Sequence, residues 1–143
     1  MRDIKVNHEP FYGDVIDLPD AVVEIRQNDK PLLLRFPKTV TIHDNQDVPR
    51  LYGKACKLEI HNNCATVQCF VQYCRELIIH NNAGTLHIYG DYNKITVGNN
   101  LGTIHVYGDH LELTVLDNNG KLYYYGVGNE AEIRKGEAKT YGY

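Results

Sequence analysis

The sequence predicts an all-β fold: a single parallel β-solenoid of about six coils running from about Val40 to Ile133, with an N-terminal cap. Three observations carry that reading. Nine-residue blocks repeat over about two-thirds of the 143-residue chain. The second and fourth residues of nearly every block are apolar. Blocks ending their apolar run in Asn-Asn or Asp-Asn alternate with blocks ending it in Tyr-Gly, so the full repeat is a pair of blocks, eighteen residues long.

From Glu76 the blocks read ELIIHNNAG, TLHIYGDYN, KITVGNNLG, TIHVYGDHL, ELTVLDNNG, KLYYYGVGN and EAEIRKGEA. Upstream, TVTIHDNQD, VPRLYGKAC, KLEIHNNCA and TVQCFVQYC continue the pattern from Thr39, with Arg75 as a single inserted residue. Apolar residues at i and i+2 followed by turn formers are the signature of a short strand with one buried face. Stacking the coils at the strand spacing of about 4.8 Å aligns equivalent residues in columns.

The first blocks of each pair build one wall, with interior columns Val40, Leu58, Leu77, Ile95, Leu113, Ala131 and Ile42, Ile60, Ile79, Val97, Val115, Ile133. The second blocks build the facing wall, with Val67, Leu86, Ile104, Leu122 beside Leu51, Cys69, Ile88, Val106, Tyr124. Each buried aliphatic side chain contributes roughly 1.5–3 kcal/mol, so one coil cannot offset its own ordering entropy and the stack folds as a unit.

The corners have their own residues. Asn45, Asn63, Asn82, Asn100 and Asn118 recur at separations of 18, 19, 18 and 18, the 19 absorbing Arg75. Asparagine tolerates left-handed backbone angles and forms stacked amide ladders, and both roles are expected here. Gly53, Gly90, Gly108 and Gly126 mark the other corner, where a Cβ would meet the bend.

Two nonapeptides per coil is an arrangement that resembles the parallel β-roll of calcium-binding secreted toxins. That family holds calcium in GGxGxD-type turns. The corresponding turns here read HNNAGT, GNNLGT and YGDHLE, without the paired glycines or the regular aspartate. The resemblance therefore implies the architecture and no calcium. A three-sided helix of hexapeptides fits less well, because Thr103 and Asp109 fall where Val97 would repeat.

The ends depart from the repeat. Residues 1–38, with Pro10, Gly13 and Pro19, are expected to form a cap and an irregular first coil in which Val23, Ile25, Leu32 and Leu34 lie out of register. The solenoid is expected over residues 39–134 and a tail over residues 135–143, with the charged stretch RKGEAK after Ile133 closing the far end. The terminal Tyr-Gly-Tyr has no assigned role.

Composition excludes several classes of function. A hydrophobic share of 43% with 23% charged residues is ordinary for a folded soluble domain. A net charge of -3 with both signs interspersed provides no basic surface, so no nucleic acid partner is expected. Apolar runs such as Pro31 to Leu34 are too short for a membrane span, and MRDIKVNHEP lacks the apolar stretch of a leader. Cys56, Cys64, Cys69 and Cys74 form no CxxC pair, which favours free thiols in a reducing cytoplasm over a zinc cluster.

The outward residues of the second wall are distinctive. Tyr52, Phe70, Tyr89, Tyr107 and Tyr125 form one column, and His87, His105 and Tyr123 the next. Such a stripe either stabilises the sheet by self-stacking or serves as an interaction face. On the first wall His43, His61 and His80 form a column that is a weak metal candidate. Solenoid enzymes similar to γ-class carbonic anhydrases bind zinc through histidines, but their hexapeptide repeat is absent, and no acid in these columns is expected to act as a base. Cys69 falls inside and Cys64 in a turn, so a cysteine nucleophile is not expected.

The leading reading is a non-catalytic interaction or assembly module without a cofactor, binding a protein partner or another copy through the second wall. Carbohydrate binding by the tyrosine column is the alternative. A metal-dependent enzyme using the stacked histidines is the weakest.

Overall fold

The computed structural model of the chain describes residues 2–141. Three short strands at the N-terminal end, β1 (Asp3–Val6), β2 (Glu9–Pro10) and β3 (Val15–Ile16), precede seven two-stranded coils. The coils are β4 (Val22–Arg26) with β5 (Leu32–Arg35), β6 (Thr39–His43) with β7 (Pro49–Lys54), β8 (Lys57–His61) with β9 (Thr66–Gln72), and β10 (Glu76–Asn82) with β11 (Thr85–Tyr89). They continue as β12 (Lys94–Asn100) with β13 (Thr103–Tyr107), β14 (Glu112–Asn118) with β15 (Lys121–Tyr125), and β16 (Glu130–Ile133) with β17 (Lys139–Tyr141). Gly142 and Tyr143 of the terminal Tyr-Gly-Tyr lie outside the described residues.

The first strands of the coils form one sheet, in the order β16-β14-β12-β10-β8-β6-β4, and the second strands form the facing sheet, β17-β15-β13-β11-β9-β7-β5. All these neighbours pair in parallel. The alternation of the sequence becomes alternation of burial: Leu58, Ile60, Leu77, Ile79, Ile95, Val97, Ile104 and Val106 are 0% exposed, while the residues alternating with them face out. With both inner faces apolar, the interior is dry and the strands can pair only in the register that keeps it so.

Two coils depart from the eighteen-residue step. Lys57 pairs with Glu76, a step of 19 that accommodates Arg75. Val23 pairs with Val40 and Ile25 with Ile42, a step of 17. Leu34 pairs with Leu51 at the same step. The coil carrying Val23, Ile25, Leu32 and Leu34 is thus one residue short, yet it stacks in register and its apolar residues are buried. The count is seven coils rather than six because β4 and β5 belong to the stack.

The N-terminal edge is covered. Strand β1 runs antiparallel to β4, with Val6 opposite Val23, and β2 folds back on β1. Ile4, Val6 and Ile16 close the first coil from that side. The Arg2 guanidinium ties the cap together by donating to the Gly13 carbonyl at 3.0 Å and the Asp14 carboxylate at 2.8 Å. At the other end β16 is the last strand of its sheet, and Ala131, expected inside, is exposed. Among the described residues no further coil covers it, and the flanking Glu130 and Glu132 suit a solvated edge.

The asparagine column points into the core. Asn28, Asn45, Asn63, Asn82, Asn100 and Asn118 are buried, and each donates its side-chain amide to the next at 3.1, 2.9, 2.9, 2.9 and 2.8 Å. The expected left-handed angles are not theirs: they fall on the preceding residues Gln27, Asp44 and Asn62, with φ of 50°, 54° and 54°. The ladder lets these amides sit in a buried corner because each rung satisfies the next side-chain oxygen, with only the Asn28 Oδ1 at its N-terminal end left without a partner among the described residues. At the opposite corner a Cβ on Gly108 would lie 1.9 Å from the Gly90 carbonyl oxygen, so the backbone turns there only without a side chain.

A second amide position supports that corner. Asn93 accepts from the Cys74 N–H at 3.0 Å and donates to the Val71 carbonyl at 2.9 Å. Asn129 repeats the pattern with Leu111 and Gly108. Among the described residues no helix is long and apolar enough to cross a membrane.

Candidate functional site

The second wall presents its aromatic residues as ladders. Ring centroids of Tyr52 and Phe70 are 4.9 Å apart, Phe70 and Tyr89 4.9 Å, Tyr89 and Tyr107 4.8 Å, and Tyr107 and Tyr125 4.6 Å. None of these pairs is inclined by more than 10°. In the adjoining column His87 stacks on His105 at 5.1 Å and His105 on Tyr123 at 5.0 Å. The parallel register of β9, β11, β13 and β15 sets these spacings, since Phe70, Tyr89, Tyr107 and Tyr125 are direct partners. The sequence-predicted face is therefore brought together as a continuous surface.

Its chemistry follows from the stacking. Partial burial, followed by the neighbouring Tyr125 and Tyr89 hydroxyls, raises the Tyr107 pKa, so that hydroxyl keeps its proton around pH 7. Burial and then the proximity of His87 lower the pKa of His105. The Nδ1 atoms of His87 and His105 are shielded from solvent without hydrogen-bond partners. The face is thus an ordered array of amphipathic side chains, with Arg50 in register beside Gln68 at its N-terminal end. A shallow concavity of about 670 Å³ at its N-terminal end is lined by Asp14, Leu32, Leu33, Arg50, Thr66 and Gln68.

A further ladder was not foreseen. Tyr73 stacks on Tyr92 at 5.1 Å and Tyr92 on His110 at 5.0 Å, along the corner that follows the second wall. All three residues have left-handed backbones, with φ of 56°, 59° and 56°. Their separations of 19 and 18 residues were the available signal, but Tyr-Tyr-His is not uniform enough in residue type to show against the block pattern.

On the first wall His43, His61 and His80 stack with centroids 4.4 and 4.0 Å apart. No acid stands in this column, but one adjoins it from the neighbouring column. Glu59 lies two residues before His61 on β8, faces the same side, and reaches diagonally to within 3.6 Å of His80 Nε2. Ligating atoms of Glu59, His61 and His80 all lie within 4.8 Å of one another. Burial, then His80 and His43, lower the His61 pKa against the opposing pull of Glu59.

The four cysteines lie in three different environments. Cys69 is buried in the second wall and its thiol is pushed up to about 12 by burial. Cys64 is exposed in a turn. Cys56 and Cys74 occupy one buried column with their sulfurs 3.8 Å apart, and the Cys74 thiol donates to the Cys56 carbonyl at 2.7 Å. The Cys56 thiol beside it, and then burial, raise the Cys74 pKa, while the same contact lowers that of Cys56.

Compared with known proteins, the chain matches no family model, no curated protein and no solved structure.

Proposed function

We propose that this solenoid is a non-catalytic interaction or assembly module that docks a protein partner or another copy on its second wall. The observation that carries the reading is the ladder Tyr52–Phe70–Tyr89–Tyr107–Tyr125, flanked by His87, His105 and Tyr123, held as one rigid stripe. Contiguous apolar or aromatic stripes at a protein surface commonly mark interaction sites. Tyrosine and histidine supply apolar area with polar tips, and stacked rings lose little entropy on binding because they are already ordered.

The stacking geometry favours a protein over a carbohydrate. Sugar rings stack on open aromatic faces, whereas both faces of Phe70, Tyr89 and Tyr107 are covered by ladder neighbours. What the wall displays is ring edges and hydroxyls, which suit packing against side chains and hydrogen bonding to a backbone. The four thiols, all free, suit a reducing cytoplasm. Size-exclusion chromatography with light scattering, combined with pull-down of the wild type and a Tyr89→Ser/Tyr107→Ser variant, tests the reading; association that ignores the substitutions overturns it.

A further inference from the structure

We propose that Glu59, His61 and His80 form a binding site for a divalent transition-metal ion of the zinc class, on the wall opposite the aromatic face. The site is built by the solenoid register. Strand β8 places Glu59 and His61 at i and i+2 on one outward face, and β10 adds His80 one coil further on, where its in-register partner is His61's strand. The result is three ligand groups from two adjacent strands, with ligating atoms no more than 4.8 Å apart.

The state of His80 is the second, independent observation. Its Nε2 is shielded from solvent and has no hydrogen-bond partner, although the Glu59 carboxylate lies 3.6 Å away. That separation is too long for a hydrogen bond, so a shielded ring nitrogen and a carboxylate face each other with neither satisfied by the other. A cation between them would satisfy both.

The donor set selects the ion. Two imidazoles and one carboxylate suit zinc and its neighbours, while calcium and magnesium favour all-oxygen shells. Zinc bonds of about 2.0–2.2 Å in tetrahedral geometry require ligand atoms about 3.3 Å apart, so the three groups close inward by roughly an ångström or more. His61 and His80 are parallel within 10° at 4.0 Å, and their lone pairs run side by side. Binding therefore tilts the two rings toward one another. The side chains of His80 and Glu59 are 42% and 31% exposed, which leaves room for that rotation. Three protein ligands leave a fourth position for water or for a group from a binding partner.

The experiment is a zinc titration of the full-length protein by calorimetry, with cobalt(II) absorption as an independent report of a four-coordinate site. One zinc per chain is expected. Glu59→Gln and His80→Ala should each weaken binding at least tenfold, and Glu59→Gln, being isosteric and on the surface, should keep the fold by circular dichroism. His87→Ala removes a histidine from the other stacked pair, which has no carboxylate beside it in the described cluster, and should leave zinc affinity unchanged. Absence of binding at 1:1 stoichiometry, zinc affinity insensitive to Glu59→Gln, or affinity that follows His87 would each overturn the proposal. Glu59 and His80 stand on the first wall and association is read on the second, so the site and the docking reading stand or fall separately.

Discussion

Asn63 donates its side-chain amide to Asn82 Oδ1 at 2.9 Å across a step of 19 residues, and the rung is as short as the Asn45–Asn63 and Asn82–Asn100 rungs at steps of 18. The solenoid absorbs its inserted residue elsewhere and keeps the ladder intact, because a broken rung would strand polar groups in a dry corner. Replacing Asn82 with Ala removes the acceptor of Asn63 and the donor to Asn100 Oδ1. At about 1–3 kcal/mol for each buried group left unpaired, the denaturation midpoint should fall markedly. Asn119, exposed and bonded only to Asp117 through its side chain, should tolerate the same change within about 0.5 kcal/mol. Equal effects at the two positions would show that the ladder carries no special weight.

Core charges should be intolerable. Val97 and Val106 sit at 0% exposure on opposite walls. An aspartate at either would be an unpaired charge between apolar sheets, costing several kcal/mol even after protonation. Val97→Asp and Val106→Asp are expected to abolish cooperative unfolding monitored by circular dichroism, and a transition near that of wild type would contradict the inward assignment.

Calcium should not matter to the fold. The tight corners are closed by the Asn ladder and by backbone bonds such as Gly90 N–H to the Tyr107 carbonyl at 2.9 Å, without regular acidic ligands. Melting temperature should therefore be unchanged by added calcium or by its chelation with EGTA. A fall of many degrees on chelation, restored by calcium, would make the turns metal-dependent after all.

Stability should decline on mild acidification. His61 and His105 are held below the ordinary histidine pKa, by burial first and by neighbouring histidines second, with Arg26 also opposing the His61 charge and Glu59 partly offsetting it. In the unfolded chain both rings protonate near pH 6.5, before they do in the folded chain. Their contribution is thus fully present above the unfolded pKa and is lost as pH falls through the folded values. Midpoints measured in EGTA and EDTA from pH 7.5 to 5.5 should drop, and His61→Asn/His105→Asn should flatten that slope. An identical slope in the double variant would assign the pH dependence to other groups.

The parts of this molecule legible in the sequence are those in which one residue's position fixes many others. Apolar columns through Ile79, Val97 and Val115 are direct strand partners, as block alignment implied, because burying both sheet faces leaves a single usable register. The aromatic stripe followed from the same columns. The first coil was obscured because its 17-residue step shifts Val23 and Leu34 out of phase in sequence while the corner takes up the missing residue in space. The Glu59–His80 approach was hidden for a different reason. It is a diagonal contact between neighbouring columns, and columns read one at a time do not show it.

The docking reading makes the sharpest demand on the second wall. Tyr89 and Tyr107 are outward, half-buried, and stacked at 4.8 Å in the middle of the ladder, while the residues beneath them, Ile88 and Val106, are fully buried. Replacing both with Ser removes the centre of the contact surface without touching the interior. The loss of stacking should cost about 0.5–1.5 kcal/mol per ring pair, which lowers the midpoint but leaves a seven-coil stack folded. Association should respond far more, because the ring edges at the middle of a rigid stripe are where hot-spot residues concentrate and each typically contributes more than 1 kcal/mol. A smaller species by light scattering, or lost capture of a bound partner that wild type retains, is the expected result in a variant with native circular dichroism. Should the double variant unfold outright, the ladder is structural. If it folds and associates as wild type does, the contact surface lies elsewhere, and the cap over β4, where exposed Tyr12 stands, becomes the next surface to substitute.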